Sequence, residues 1–218
     1  MQNYTNKLLA VGCWLLADES RFIIFAPLTI PIMKRLFAAV KINPSENFLR
    51  LYNSLRADLK FSSIKWVPAE NIHVTLKFFG ETEEVKIKDI SKALKNAADQ
   101  HRHFQMELRN VGIFGSSYDP RVIWLGMEKT DSLVALTKSV FNELDKIGWQ
   151  RDRQNFMPHL TIGRIKHIPD KRLFQKVIDD HKLVDIQMVN VVEFHLYESI
   201  LRQEGPIYKI LESYKLEQ

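Results

Sequence analysis

The chain has 218 residues, 45% of them hydrophobic and 26% charged, a composition typical of a soluble globular protein that forms one large domain or two small lobes. Its formal net charge of +5 favours an anionic partner such as RNA, although charge alone does not identify one. The single cysteine, Cys13, excludes an intrachain disulfide framework and a thiolate metal cage, and we therefore expect a cytoplasmic protein.

The first 32 residues differ from the rest of the chain. They contain two short apolar runs, 8–17 and 22–32, and neither reaches the ~20 apolar residues needed to span a bilayer. One lysine before the first run and the lack of a clear cleavage site make a poor signal peptide. Met33 immediately precedes a strong strand pattern. We predict that Met33 is the natural start, that residues 1–32 lie outside the fold, and that the domain is 33–218. The intact mass of natively expressed protein would test this start site.

A repeat becomes visible when the chain is shifted by 86 residues. Each half, about 33–115 and 119–200, reads as strand, helix, strand, helix, strand. Ser45 and Asp131 are predicted to cap the first helix of each half. The strands and helices expected outside the central strand of each half are 35–40, 45–60, 85–100 and 104–114 in the first half, and 121–126, 131–147, 171–182 and 186–198 in the second. A last segment, 205–216, is predicted to be an edge strand.

The central strand of each half carries the sequence His-x-Thr followed by an apolar residue. These are His73 with Thr75 and His159 with Thr161, and the two histidines are 86 residues apart. Because strand side chains alternate, each strand has an apolar face and a face that carries the histidine and the threonine. Two similar halves usually pack about a pseudo-twofold axis, so we expect these polar faces to meet. The sequence therefore predicts an α+β fold with two pseudo-symmetric lobes of mainly antiparallel sheet, outer helices and a central cleft.

Two imidazoles on opposite sides of a phosphorus atom can divide acid–base work near neutral pH. One takes a proton from water, the other gives a proton to the departing oxygen, and the threonine hydroxyls can hold phosphate oxygens. This chemistry needs no metal and no cofactor, and none is predicted. His101 and His103 lack a third ligand, so they are interpreted as solvated side chains.

The neighbours of the two motifs are assigned by simple alternation. Phe78 is predicted to face the core and Lys77 to be a solvated lysine on the His73 face. Alternation places Arg164 on the core side, which argues against phosphate binding unless the strand ends or bulges there. Trp66 and Tyr208 are more often core aromatics than ligand contacts.

These segments resemble the two-histidine phosphoesterases, and within them the RNA 2′,3′-cyclic phosphodiesterase or 2′-5′ RNA ligase branch. Segment 65–81, KWVPAENIHVTLKFFGE, resembles the first signature, segment 156–164, FMPHLTIGR, resembles the second, and 35–40, RLFAAV, also fits. The resemblance implies a two-lobed fold around a basic cleft. It implies metal-independent hydrolysis of RNA 2′,3′-cyclic phosphate to a 2′-phosphomonoester. It assigns His73 as proton donor, His159 as proton acceptor, and Thr75 and Thr161 as phosphate-binding groups.

Phe156 and Arg164, which flank the second motif, are the predicted substrate-binding residues. Three alternative functions stay open at this point: 2′-5′ RNA ligation, cleavage of 2′-5′-linked oligonucleotides or another cyclic nucleotide, and a non-catalytic RNA-binding module. The expected partner is an RNA with a 2′,3′-cyclic phosphate end or a related small nucleotide. A monomer without membrane association is also expected.

Overall fold

A computed structural model describes residues 31–116, 118–149 and 156–218. The predictions made for residues 1–32 therefore fall almost wholly outside the described residues and stay predictions. Within the described residues, no helix is long and apolar enough to cross a membrane.

The described residues form nine strands and four α-helices. The strands are β1 (Met33–Lys41), β2 (Ser63–Trp66), β3 (His73–Glu83), β4 (Phe104–Gly115), β5 (Pro120–Glu128), β6 (Leu160–His167), β7 (Asp185–Val191), β8 (Glu193–Ile200) and β9 (Ile207–Lys215). The helices are α1 (Glu46–Asp58), α2 (Ile87–Ala98), α3 (Asp131–Lys146) and α4 (Lys171–Asp180).

The strands form two antiparallel sheets that repeat one pairing scheme. The first sheet has the order β3-β1-β8-β9, and the second has the order β2-β6-β5-β4-β7. The motif strand of each half, β3 or β6, pairs with the first strand of the same half, β1 or β5. On its other side, the first strand of each half pairs with a strand from the other half: β1 pairs with β8, and β5 pairs with β4. The α+β class with two pseudo-symmetric antiparallel lobes is confirmed, and each half completes the sheet of the other.

The predicted strand 186–198 is wrong as a single element. It is two strands, β7 and β8, separated at Val192, which is exposed. The break sends β7 to the edge of the second sheet and β8 to the middle of the first. The predicted edge strand near the C-terminus is confirmed as β9, which pairs with β8.

The helices lie against the sheets through the apolar stripes that their spacing predicts. Leu133, Leu136, Val140 and Leu144 of α3 are all buried in the main hydrophobic core. Ser45 caps α1 as expected, because its side-chain oxygen accepts from the Phe48 backbone N–H. Asp131 is not the cap of α3, since the helix begins at this residue and Thr130 occupies the cap position.

Candidate active site

The two motif strands lie side by side where the sheets approach each other. β3 and β6 belong to different sheets, yet they have Cα atoms within 8 Å of one another. A cleft of about 630 Å³ opens at this junction, and His73, Thr75, His159 and Thr161 all line it. The structure therefore brings together both histidines and both threonines singled out in the sequence.

Each motif histidine is held by a backbone carbonyl two residues earlier in the chain. His73 Nδ1 lies 2.7 Å from the Asn71 oxygen, and His159 Nδ1 lies 2.8 Å from the Met157 oxygen. A carbonyl oxygen only accepts hydrogen bonds, so each Nδ1 carries the proton and donates it. The carbonyl thereby fixes the tautomer, and Nε2 of each ring remains the atom that can give or take a proton.

The surroundings of the two histidines differ. The His73 ring centroid lies 5.0 Å from that of Phe37 and 5.3 Å from that of Tyr208, with the Tyr208 ring perpendicular to it. His159 has a perpendicular contact with Phe114 at 4.8 Å. Burial lowers the pKa of His73 below its ordinary value, and the nearby positive charge of Arg164 lowers it further. In the free protein His73 is therefore neutral at neutral pH.

A β-bulge in β3 overturns the predictions for Lys77 and Phe78. Ala38 pairs with Lys77 while its neighbour Ala39 pairs with Thr75, so Leu76 has no partner and the alternation reverses beyond it. Lys77 is buried, 3% exposed, and its ammonium lies 5.6 Å from the centre of the Phe141 ring. Phe78 is 61% exposed and lines the cleft.

The same irregularity occurs in β6, at the equivalent residue 86 positions later in the chain. Ile123 pairs with Gly163 and Trp124 pairs with Thr161, which leaves Ile162 without a partner on β5. Gly163 consequently turns into the core, and Arg164 turns into the cleft. The bulge removes the objection that simple alternation raised against Arg164, whose guanidinium carries a positive charge beside the motif residues.

The predicted substrate contact Phe156 and the two aromatics interpreted as core residues, Trp66 and Tyr208, have different positions. Phe156 is half-buried, packs against the main core and is not among the residues that line the cleft. Trp66 also packs against the core, with its ring 5.5 Å from the Tyr52 ring and perpendicular to it. Tyr208 lines the cleft beside His73. Of the two predicted substrate-binding residues, only Arg164 therefore lies in the cleft.

The cleft residues that were not identified from the sequence include Arg35, Phe37 and Phe114. Alternation along β1 contains the signal for the first two, because they lie opposite the buried Leu36 and Ala38. No such signal marks Phe114, which lies on β4, a strand of the first half that belongs to the second sheet.

No group of three or more histidine, cysteine, aspartate or glutamate side chains that could hold a metal ion is found in the part of the chain that the structure describes. His101, near the end of α2, instead has its Nε2 2.8 Å from the Ser139 hydroxyl. The side chains that line the cleft include two imidazoles, two threonine hydroxyls and the guanidinium groups of Arg35 and Arg164.

Comparison with known proteins gives consistent matches over most of the chain. The family model described as LigT-like phosphoesterase matches residues 40–124 and again residues 125–208. An RNA 2′,3′-cyclic phosphodiesterase of Thermotoga maritima is 41% identical over 146 residues, which cover 67% of this chain and 76% of the relative. A protein of the same name from Methanocaldococcus jannaschii is 34% identical over 180 residues, covering 83% of this chain and 99% of the relative.

Solved structures show the same fold. A crystal structure of a Thermus thermophilus protein matches with a TM-score of 0.68 and 26% identity, over 84% of this chain and 97% of that chain. Escherichia coli LigT complexed with 3′-AMP matches with a TM-score of 0.63 and 26% identity, over 85% of this chain and 99% of that chain.

Proposed function

Because the chain belongs to the LigT-like phosphoesterase family, we propose that it is an RNA 2′,3′-cyclic phosphodiesterase that hydrolyses the cyclic phosphate to a 2′-phosphomonoester without a metal. Relatives that carry this activity in their names are 31–41% identical to the chain. The observation that carries the proposal is the meeting of His73, Thr75, His159 and Thr161 in one cleft.

The proposed reaction is an in-line displacement by water. His159 accepts a proton from the water through Nε2, the water oxygen bonds to phosphorus, and the bond from phosphorus to the ribose 3′ oxygen breaks. His73 donates a proton from its Nε2 to that departing oxygen, which becomes the 3′-hydroxyl. The direction of this assignment comes from the resemblance to the family. Thr75 and Thr161 donate hydrogen bonds to the non-bridging oxygens, whose negative charge grows in the transition state.

The acid in this mechanism must gain its proton before it can give one. His73 is neutral in the free protein, since burial lowers its pKa. A bound cyclic phosphate adds a negative charge beside the ring, which favours the imidazolium form. Binding of the substrate and protonation of His73 are therefore coupled, and the pH–rate profile should be bell-shaped.

The direct test uses a short RNA that ends in a 2′,3′-cyclic phosphate, incubated with the protein in the presence of a chelator. Phosphorus NMR should show a 2′-phosphate. His73→Ala and His159→Ala should each lower the rate by about 10²–10⁴-fold, the usual contribution of one acid–base group. His167→Ala, at the exposed end of β6, is the matched control and should keep the wild-type rate.

Four results would contradict the proposal in whole or in part. Full activity in both histidine variants would refute the roles of His73 and His159 as acid and base. Loss of activity in chelator would indicate a metal-dependent enzyme. Binding of the RNA without any turnover by the wild-type protein would favour a non-catalytic binding module. A 3′-phosphate product would be compatible with the histidine pair, but it would show that the bond from phosphorus to the 2′ oxygen breaks instead of the bond to the 3′ oxygen.

A further inference from the structure

Resting on the proposed function, we propose that Arg35, Lys65 and Arg164 form a second phosphate subsite beside the catalytic pair. This subsite would bind the phosphodiester that joins the terminal nucleotide to its 5′ neighbour. The preferred substrate would then be an oligoribonucleotide that ends in a cyclic phosphate, rather than a free cyclic mononucleotide.

Lys65 and Arg164 are brought together by strand pairing. They are Cα partners on β2 and β6, and both side chains are exposed. Gly163, Ile64 and Trp66 lie on the opposite face of the sheet, where a Cβ on Gly163 would come within 3.0 Å of the Ile64 side chain. Lys65 and Arg164 alternate with these residues, so both lie on the cleft side. Antiparallel partners in register have adjacent side chains, so the two cations lie next to each other.

The Lys65 ammonium points toward the rim of the cleft. Its Nζ lies 3.9 Å from the position of a Cβ on Gly205, and the next residue, Pro206, lines the cleft. The reach of the lysine side chain thus places its charge at the edge of the space that His73 also lines.

Arg35 reaches the cleft from the other sheet. It is exposed, lines the cleft, and lies two residues before Phe37, whose ring is 5.0 Å from that of His73. Burial raises the pKa of the Tyr208 hydroxyl, and the charges of Arg164 and Arg35 both oppose this rise. The two guanidinium groups therefore act on one cleft residue from opposite sheets.

These three cations carry charges that no ion pair among the described residues neutralises. Within the described ranges, none of them has a carboxylate within 4.0 Å, whereas Lys34, Arg109 and Arg121 do. A cyclic phosphodiester carries a single negative charge, which three cations exceed. One further phosphodiester brings the charges of ligand and site closer together, and the cleft of about 630 Å³ has room for more than the reacting group.

The test compares two substrates, 2′,3′-cyclic AMP and a trinucleotide that ends in a 2′,3′-cyclic phosphate. Wild-type kcat/KM should be at least about tenfold higher for the trinucleotide. Arg35→Met and Lys65→Met should each lower the trinucleotide value by about tenfold and reduce its salt dependence by about one counterion. Cyclic AMP hydrolysis should fall by a clearly smaller factor in both variants, because the subsite binds the second phosphodiester and not the reacting phosphate. Lys176→Met, an equal charge change on the exposed side of α4, should alter neither value.

Equal wild-type kcat/KM for the two substrates would overturn the subsite, as would variants that lower both values by the same factor. The second result would assign Arg35 and Lys65 to the reacting phosphate. If the wild-type protein hydrolyses neither substrate, the proposed function fails separately. The subsite is then decided by fluorescence titration with a mononucleotide and a trinucleotide that each end in a 2′-phosphate. Equal affinities, or unchanged affinity in both variants, would refute it.

Discussion

Gly112 lies directly beneath the indole of Trp124, next to the candidate active site. A Cβ built on Gly112 would lie 2.3, 2.6 and 2.7 Å from three carbon atoms of that ring. Carbon atoms in contact are usually about 3.5–4.0 Å apart, so the methyl group of Gly112→Ala would overlap the indole by roughly an ångström. The clash involves the body of a rigid ring on a paired strand, and the ring has to move.

This displacement should be felt both in stability and at His159. Overpacking of this kind costs typically about 1–3 kcal/mol, and each kcal/mol lowers Tm by about 2–4 °C in a domain of this size. The Trp124 ring is 5.3 Å from that of Phe114, which in turn makes the perpendicular contact with His159 at 4.8 Å. Trp124 is also the Cα partner of Thr161. Since a shift of about 1 Å in a catalytic group can cost about 10²-fold in rate, we expect kcat to fall by about 10–100-fold.

The assay is thermal unfolding together with kcat on the cyclic-phosphate RNA, measured well below the lower Tm. Gly148→Ala is the matched control, because its φ of +77° makes alanine unfavourable, although nothing lies within 4 Å of the new Cβ. It should lose stability and keep kcat. Trp124→Leu should relieve the clash, so the double variant with Gly112→Ala should be more stable than the sum of the two single losses predicts. Additive losses, or an unchanged kcat in Gly112→Ala, would refute the packing argument.

Two further predictions concern protonation. Arg164→Met should raise the pKa of His73 in the free protein, because one source of its lowering is removed, and an NMR titration that finds no change would contradict the position of the guanidinium. Burial also lowers the pKa of His195, which the Glu193 carboxylate offsets in part. As the pH falls below about 6.5, the unfolded chain binds a proton that the folded protein does not, so the free energy of unfolding decreases. Between pH 7.5 and pH 5.5, the free energy of unfolding measured with urea should decrease less for His195→Gln than for wild type. Equal decreases would show that His195 is not the source of this pH dependence.

Local periodicity was sufficient to predict most of the helices and strands and the centre of the site. The motif spacing of 86 residues identified β3 and β6 as equivalent strands, and alternation correctly placed Val74 and Leu160 in the core. The helix stripes were equally clear, since a spacing of three and four residues leaves one apolar face. These features depend only on neighbours in sequence, and a single chain contains that information.

The bulges depend on pairing between strands, so the alternation of apolar and polar residues along one strand does not predict them. The bulge at Leu76 or Ile162 reverses the side chains that directly follow it, which is why Lys77 and Phe78 were assigned to the wrong faces. The first strands of the two halves also correspond at an offset of 85 residues, because Ala38 and Ile123 occupy the same place in the pairing scheme. β4 of the first half joins the second sheet, and β8 of the second half joins the first sheet. This exchange depends on contacts between residues distant in sequence, so no local pattern predicts it.

The two bulges turn equivalent positions of the two halves into the cleft, and the different residues at these positions make the site asymmetric. Phe78 and Arg164 are 86 residues apart and both line the cleft, one as an apolar ring and the other as a cation. The proposed reaction needs one acid and one base, and the two motif histidines have different neighbours. Burial, together with the charge of Arg164, lowers the pKa of His73. In the proposed reaction the same guanidinium attracts the substrate phosphate, so Arg164, at the position that Phe78 occupies in the first half, contributes to phosphate binding and also to the lowered pKa of His73.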